Sequence, residues 1–367
     1  MYTVAPELSA HLIDMKGREL HRWSVSRDAV MPEAGRRAWT LFGAIKPQVE
    51  TGHLFANGDL LLIYEQSGLA PSDSALIKLD KDSHILWKTQ IKVHHAIAVV
   101  DHQIYALSSV NRPAGRELNP FAVATVDQAV STLSPDGTVL STHSILDAML
   151  NTTSMRLANI AAIGEPLDPL HVNSIDVLNS QNARFIPGAT PGDVLLSLRN
   201  LDMLAVVSLH TNRVIWALRG AWRRQHDVKM LPNGHILMFD NQGGLTSHGR
   251  SRVLEVMPDS GAIVWSFAGT DGNSIDSEVR GGAQRLSGGN TLISESATGR
   301  RLEVAPDGAV VWEYVHPEGA MEDGRKIVAS SGLTVTRYDT SRLSFLENPA
   351  RIGGTAQTAT SSCDPCP

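Results

Sequence analysis

The sequence predicts an all-β chain folded as a six-bladed β-propeller. Two hairpin patterns alternate along it, an outer one that usually ends in tryptophan and an inner one built around a glycine turn. Together they form four-stranded units at a period of roughly 40–50 residues, which is typical of propeller blades. The chain has 367 residues, of which 42% are hydrophobic and 19% charged, and can therefore bury the core that such a ring needs.

The outer hairpin consists of alternating apolar residues, a Gly, Asp or Asn turn, and further alternation. Five copies end at a tryptophan, namely Trp23, Trp87, Trp216, Trp265 and Trp312. A sixth, degenerate copy surrounds Asp136 and lacks the tryptophan. We therefore count six outer hairpins.

The inner hairpin shows period-two alternation around N-G, D-G or G-G turns, a strong short-range hairpin signal. Copies begin at His53, His95, His226, Gly282 and Arg325, and a more open version starts at Asn173 and resumes at Asp193. Six inner hairpins match six outer ones, which predicts six blades.

The two ends of the chain complement each other. It opens with an outer hairpin at 11–23 and closes with an inner one at 325–337. We expect these hairpins to complete one blade and close the ring, which removes open sheet edges. The predicted propeller spans residues 1–345, and residues 346–367, with Cys363 and Cys366, form a flexible tail.

Two stretches interrupt the repeat. Residues 111–120 form a Pro/Arg-rich insertion, and residues 144–165 carry apolar residues at helical spacing that predict one or two short helices. Such insertions serve as pocket walls or as simple packing, and both interpretations remain open.

The charge and hydropathy of the chain argue against binding to nucleic acid and against a membrane span. The net charge of −6 gives no basic face for nucleic acid, and no apolar run is long enough to span a membrane. No apolar leader follows Met1, and the compartment and oligomeric state are left open.

Polar residues recur at one position of the inner hairpin. When the turns are aligned, His226, His95 and Asn173 coincide, and His171 precedes Asn173 by two residues on the same strand face. Arg199 lies on the adjoining strand. We expect these five side chains to converge at the axial end of the central channel.

Seven other histidines are expected to have no part in this site. His94 should face away from its neighbour His95 because strand residues alternate. Six more fall at turns or outer strands and are expected at the surface: His53, His84, His102, His210, His235 and His248.

Several segments resemble the arylsulfotransferases: RRQHDVKMLPNGHILMFDN, LHVNSIDVLN, SLRN and HHAIAVV. The resemblance covers roughly residues 10–340 and implies a six-bladed propeller. It makes His226 the nucleophile that receives the sulfuryl group. It places His171, Asn173 and Arg199 around the sulfuryl oxygens, and His95 near the transferred group or the phenolic oxygen.

The resemblance also implies the reaction. A sulfuryl group would pass from an aryl sulfate ester to a phenol through a sulfohistidine, in ping-pong order, without a nucleotide sulfate donor, other cofactor or metal. The chain resembles a shorter branch that lacks the N-terminal β-sandwich of better-known bacterial members. Those members also suggest a periplasmic or secreted location.

Two alternatives stay open. Several histidines around a channel could hold a divalent metal in a hydrolase or lactonase-like propeller, although Arg199 in the cluster favours an anion over a cation. A non-catalytic interaction propeller is the other alternative, because fold alone does not establish chemistry.

Overall fold

A computed structural model describes residues 1–4, 8–30, 46–67, 74–114, 123–152, 165, 167–243, 250–270, 273–315, 320–322, 325–327 and 335–346. Nearly all regular structure in these ranges is β-strand. The helices are short: α1 (Arg27–Val30), α2 (Ile145–Leu150), and single 3-10 turns at Ala183–Phe185, Arg199–Leu201 and Thr340–Arg342. No helix in the described part of the chain has the length and apolar character required to cross a bilayer.

Five antiparallel sheets of four strands each form the blades, with strands in chain order from the innermost to the outermost. Blade 1 comprises β4 (Lys46–Leu54), β5 (Leu60–Ser67), β6 (Ala75–Leu79) and β7 (Ile85–Thr89). Blade 2 comprises β8 (Val93–Val100), β9 (Gln103–Arg112), β10 (Thr125–Leu133) and β11 (Val139–Ser144). Blade 3 comprises β12 (Val172–Val177), β13 (Val194–Leu198), β14 (Met203–Ser208) and β15 (Arg213–Arg219).

The last two blades follow the same plan. Blade 4 comprises β16 (His226–Met230), β17 (Ile236–Asp240), β18 (Arg252–Val256) and β19 (Ile263–Phe267). Blade 5 comprises β22 (Gly282–Arg285), β23 (Thr291–Glu295), β24 (Arg300–Val304) and β25 (Val310–Val315). A two-stranded ribbon of β20 (Gly269–Thr270) and β21 (Asn273–Ser274) lies between them in sequence. The prediction of an all-β propeller is confirmed.

The predicted number of six blades was wrong, because the described residues make five. The terminal sheet has three strands, β1 (Tyr2–Val4), β2 (Ser9–Ile13) and β3 (Glu19–Ser24). The C-terminal hairpin was expected to add its inner strands. Instead β27 (Arg325–Ile327) pairs with β26 (Ala320–Glu322) in a separate sheet. Residues 328–334 of that predicted hairpin lie outside the described residues.

The terminal sheet nevertheless closes the ring between blade 5 and blade 1. Met1 and Thr336 exchange hydrogen bonds, the Met1 ammonium donating to the Thr336 carbonyl at 2.7 Å and the Thr336 N–H to the Met1 carbonyl at 3.1 Å. Met1 therefore meets the C-terminal segment at Thr336, but among the described residues the two predicted hairpins do not complete one sheet.

Four of the five repeated tryptophans form a latch, in which the indole N–H of one sheet donates to a backbone carbonyl of the next sheet. Trp312 Nε1 of blade 5 donates to the Met15 carbonyl in the β2–β3 turn, and Trp23 Nε1 of the terminal sheet donates to the Gly58 carbonyl of blade 1. Trp87 and Trp265 make equivalent bonds to the carbonyls of Pro135 and Pro306. The tryptophan pattern thus marks contacts between sheets.

Apolar clusters fill the spaces between blades. Leu107 and Val130 of blade 2 pack with Val172 and Leu196 of blade 3 in one such cluster. Helix α2 contributes Ile145, Leu146 and Met149 to the same cluster. Ser144 caps the helix by accepting the Asp147 N–H at 2.8 Å.

A short helix was predicted within residues 144–165, and α2 confirms it in part. Residues 153–164, most of insertion 111–120 and the tail from 347 lie outside the described residues, so the domain limits stay predictions.

Candidate active site

Register irregularities at the start of the innermost strands shape the axial end of the channel. The pairing register slips in four blades, between Val49 and Gly52, Val93 and Ile97, Val172 and Ser174, and His226 and Lys229. Each slip inserts extra residues into the inner strand, and such β-bulges re-aim side chains. Residues with positive φ stand at or beside three of these slips: His95 (56°), His171 (46°) and Asp227 (50°).

His226 is held in one tautomer by two acceptors. Its Nδ1 lies 2.6 Å from Asn241 Oδ1 and 3.0 Å from the Arg224 carbonyl. The Asn241 amide nitrogen donates to the carbonyls of Ser277 and Arg280, which fixes Oδ1 as the atom facing the ring. Nδ1 must therefore carry the proton, and Nε2 keeps its lone pair.

The same environment keeps His226 neutral. Burial lowers the pKa of His226 most strongly, and the charges of Arg199 and His171 add to the effect. The bond to Asn241 opposes them, and the resulting pKa is about 3. A neutral imidazole with a free Nε2 is a competent nucleophile at neutral pH.

His171 is paired with a carboxylate. Its Nδ1 lies 2.6 Å from Asp168 Oδ2, and its own N–H donates to Asp168 Oδ1 at 3.2 Å. Burial would raise the pKa of Asp168, but the bonds from His171 and Gln128 outweigh it and lower that pKa. An ionised Asp168 orients the imidazole and stabilises it when protonated, as in a His-Asp pair that transfers protons.

His95 contacts both His171 and the buried Glu50. The two imidazole rings meet edge to face, with centroids 5.1 Å apart. The backbone N–H of His95 donates to Glu50 Oε2 at 2.8 Å. Burial lowers the pKa of His95 well below its ordinary value, although the nearby Glu50 carboxylate opposes this.

The expected orientation of His94 was wrong. Its Nδ1 lies 2.9 Å from Nδ1 of His95, and the ring centroids are 5.1 Å apart. The slip in β8 and the positive φ of His95 break the strand alternation on which that expectation relied.

Arg199 begins the 3-10 turn after β13, beside a second arginine. Arg199 Nη1 and Arg224 Nη1 donate to the same atom, Asn200 Oδ1, at 3.0 and 2.7 Å. Burial and the Arg224 charge lower the pKa of Arg199. Arg224 Nη1 also lies 3.6 Å from Glu165 Oε1, so the charge of Arg224 is partly balanced. Arg199 makes no ion pair among the described residues, and its planar guanidinium is suited to bind an oxyanion.

Three of the five predicted residues line a channel cavity of about 420 Å³. His226, His95 and Asn173 line it, whereas Arg199 and His171 do not. His171 still contacts His95, which lines the cavity, and the charge of Arg199 helps to lower the pKa of His226. Asn173 donates to the Gln225 carbonyl at 2.9 Å, and its buried Oδ1 has no hydrogen-bond partner among the described residues.

Within the described ranges, no group of three or more His, Cys, Asp or Glu side chains is arranged to hold a metal ion.

A family profile described as arylsulfotransferase (ASST) matches residues 75–317. The chain belongs to the arylsulfotransferase family. Membership indicates an enzyme of the sulfotransferase type with small-molecule substrates. The matched range contains all five predicted site residues.

Solved structures similar to this arylsulfotransferase family member include a protein of unknown function from Bacteroides caccae, with 12% identity over 85% of this chain and 92% of that chain and a TM-score of 0.47. Virginiamycin B lyase from Staphylococcus aureus matches with 8% identity over 75% and 74%, at a TM-score of 0.40. Quinohemoprotein alcohol dehydrogenase from Comamonas testosteroni matches with 11% identity over 86% and 57%, at 0.42. Similarities this low say nothing about the chemistry of the site. No curated protein matches the chain significantly.

Sequence reasoning missed three residues of this candidate site in the arylsulfotransferase family member. Asp168 stands three residues before His171, a spacing that could have indicated it. Asn241 and Arg280 gave no signal, because the bulges and loops that bring them to the channel leave no period in the sequence.

Proposed function

We propose that the chain moves a sulfuryl group from an aryl sulfate to a phenol through a sulfohistidine at His226. The observation that carries this proposal is the pair of acceptors on Nδ1, Asn241 Oδ1 and the Arg224 carbonyl, which leaves Nε2 as an unprotonated nucleophile.

In the first half-reaction, Nε2 of His226 attacks sulfur, an N–S bond forms, and the bond between sulfur and the aryl oxygen breaks. Negative charge is then spread over three sulfuryl oxygens. Arg199, held beside Arg224 on Asn200, supplies a fixed positive charge that acts on His226. Removing one such donor typically costs about 3 kcal/mol of transition-state stabilisation.

The sulfonated imidazole ring carries a positive charge because Nδ1 keeps its proton. The two oxygens that accept from Nδ1 stabilise that charge. The arrangement therefore supports both the tautomer needed for attack and the covalent intermediate that follows.

The leaving phenolate needs a proton, and protonated His171 is the residue best suited to donate it. Asp168 receives Nδ1–H of His171 and balances the imidazolium charge. In the second half-reaction the acceptor phenol gives its proton to His171, its oxygen attacks sulfur, and the N–S bond breaks. His226 is regenerated, and His171 is ready for the next cycle.

Initial-rate kinetics with p-nitrophenyl sulfate and phenol test the proposal. Transfer without a nucleotide sulfate donor should give parallel double-reciprocal lines, the pattern of ping-pong exchange. His226→Asn keeps a donor for Asn241 but removes Nε2, and should abolish nitrophenol release. His210→Asn, at an exposed position, is the matched control. Release by His226→Asn at the wild-type rate would overturn the proposal.

A further inference from the structure

Arg280 lies in a constrained loop at the channel end of blade 5. Its φ is 65°, a conformation that residues other than glycine seldom adopt. Its carbonyl accepts from Asn241 Nδ2 at 2.5 Å, and the following Gly281 N–H donates to Ser296 Oγ at 3.1 Å. Strained backbone held by several bonds is typical of functional sites.

The Arg280 side chain lines the channel cavity without a hydrogen bond or ion pair among the described residues. The other two cationic side chains on this wall lie beside carboxylates. Arg285 binds Glu255 at 2.5 Å, and Lys229 lies 3.7 Å from Asp227. Of these three cations, Arg280 alone makes no ion pair among the described residues, although its charge lowers the pKa of the buried Glu50 carboxylate.

Arg280 and Arg199 differ in their relation to the channel cavity. Arg280 lines the cavity with His226 and His95, whereas Arg199 is not among the residues that line it. If the sulfuryl group is bound between Arg199 and His226, the aryl body can extend into the cavity towards Arg280. The volume of about 420 Å³ falls within the range of small-molecule pockets, and Ile97 and Met230 offer apolar wall.

We propose that Arg280 binds an acidic substituent on the aromatic body of the substrate, so that the preferred phenols and aryl sulfates carry a carboxylate. This inference rests on the proposed function for the orientation of the substrate. A planar guanidinium can meet a carboxylate with two parallel hydrogen bonds, which a neutral ring substituent cannot match.

Calorimetric titration with 4-hydroxyphenylacetate and its neutral amide tests the inference without requiring turnover. Wild-type protein should bind the acid about 10- to 100-fold more tightly than the amide, the range expected for charge-assisted hydrogen bonds. Arg280→Gln should lose this preference. Arg223→Gln removes an exposed guanidinium outside the cavity and should retain it.

Equal binding of acid and amide by the wild type, no binding of either, or an unchanged preference in Arg280→Gln would overturn the inference. Acid binding that depends on Arg280, in a protein that transfers no sulfuryl group, would support the anion site and overturn the proposed function instead.

Discussion

The Nδ1 atom of His226 and the Oδ1 atom of Asn241 lie 2.6 Å apart, with His226 at the start of β16 and Asn241 directly after the end of β17. The Asn241 amide is anchored at its other end by the Ser277 and Arg280 carbonyls. One side chain thus fixes the tautomer of His226 and links it to the loop that carries Arg280.

Replacing Asn241 tests this positioning role. In Asn241→Leu, Nδ1 keeps only the Arg224 carbonyl, and the ring is less firmly oriented. We expect kcat to fall about 10- to 100-fold with little change in KM, since donor binding does not use Asn241. A matched fall in KM and kcat, or unchanged kinetics with normal folding, would contradict the role.

Removing the partner of His171 tests its part in proton transfer. Asp168→Asn should impair His171 as an acid and slow transfer from phenyl sulfate, whose leaving group needs a proton, by about 100-fold or more. Transfer from p-nitrophenyl sulfate should fall much less because nitrophenolate leaves readily. An equal loss with both donors would indicate a structural role only.

Replacing Arg199 tests the positive charge beside the nucleophile. Arg199→Gln should lower kcat about 100-fold, corresponding to roughly 3 kcal/mol of lost transition-state stabilisation. Arg223→Gln, which removes a nearby exposed charge, is the control. Steady-state rates that respond equally to both changes would rule out a specific role for Arg199.

Stability should decrease in acid because of the buried imidazoles. Burial lowers the pKa of His226, His95 and His94 in the folded protein, so below about pH 6.5 the unfolded chain binds more protons than the folded one. The free energy of unfolding should therefore fall as pH decreases from about 6.5 towards 4.5. Each group contributes at most about 1.4 kcal/mol per pH unit.

Denaturant unfolding at several pH values measures this slope. His226→Asn should show a shallower fall than wild type, while His210→Asn, exposed at its position, should match wild type. A slope unaffected by His226→Asn would mean that His226 is protonated in the folded state over this range.

The tryptophan latch makes a separate prediction about the fold. Trp312→Phe removes the bond to the Met15 carbonyl across the ring closure and should reduce the free energy of unfolding by about 1 kcal/mol. Trp216→Phe makes the same change at a repeat position whose Nε1 has no such bond among the described residues. Equal effects of the two substitutions would argue against the latch.

Much of the architecture was predictable because hairpins and tryptophans repeat. The number of blades was not, since Arg325–Ile327 pairs with Ala320–Glu322 instead of extending the terminal sheet. The five polar site residues could be proposed from alignment of the turns and the family resemblance. His94, Asp168 and Asn241 could not be placed, because they depend on bulges and side-chain contacts that strict alternation does not encode.

The most direct test of the central claim is intact-mass analysis of the protein quenched shortly after mixing with p-nitrophenyl sulfate, followed by peptide mapping of any adduct. A sulfuryl adduct on His226 that forms with nitrophenol release and disappears on addition of phenol is the predicted result. Nitrophenol release and phenol sulfation without an adduct on His226, or with an adduct on another residue, would contradict it.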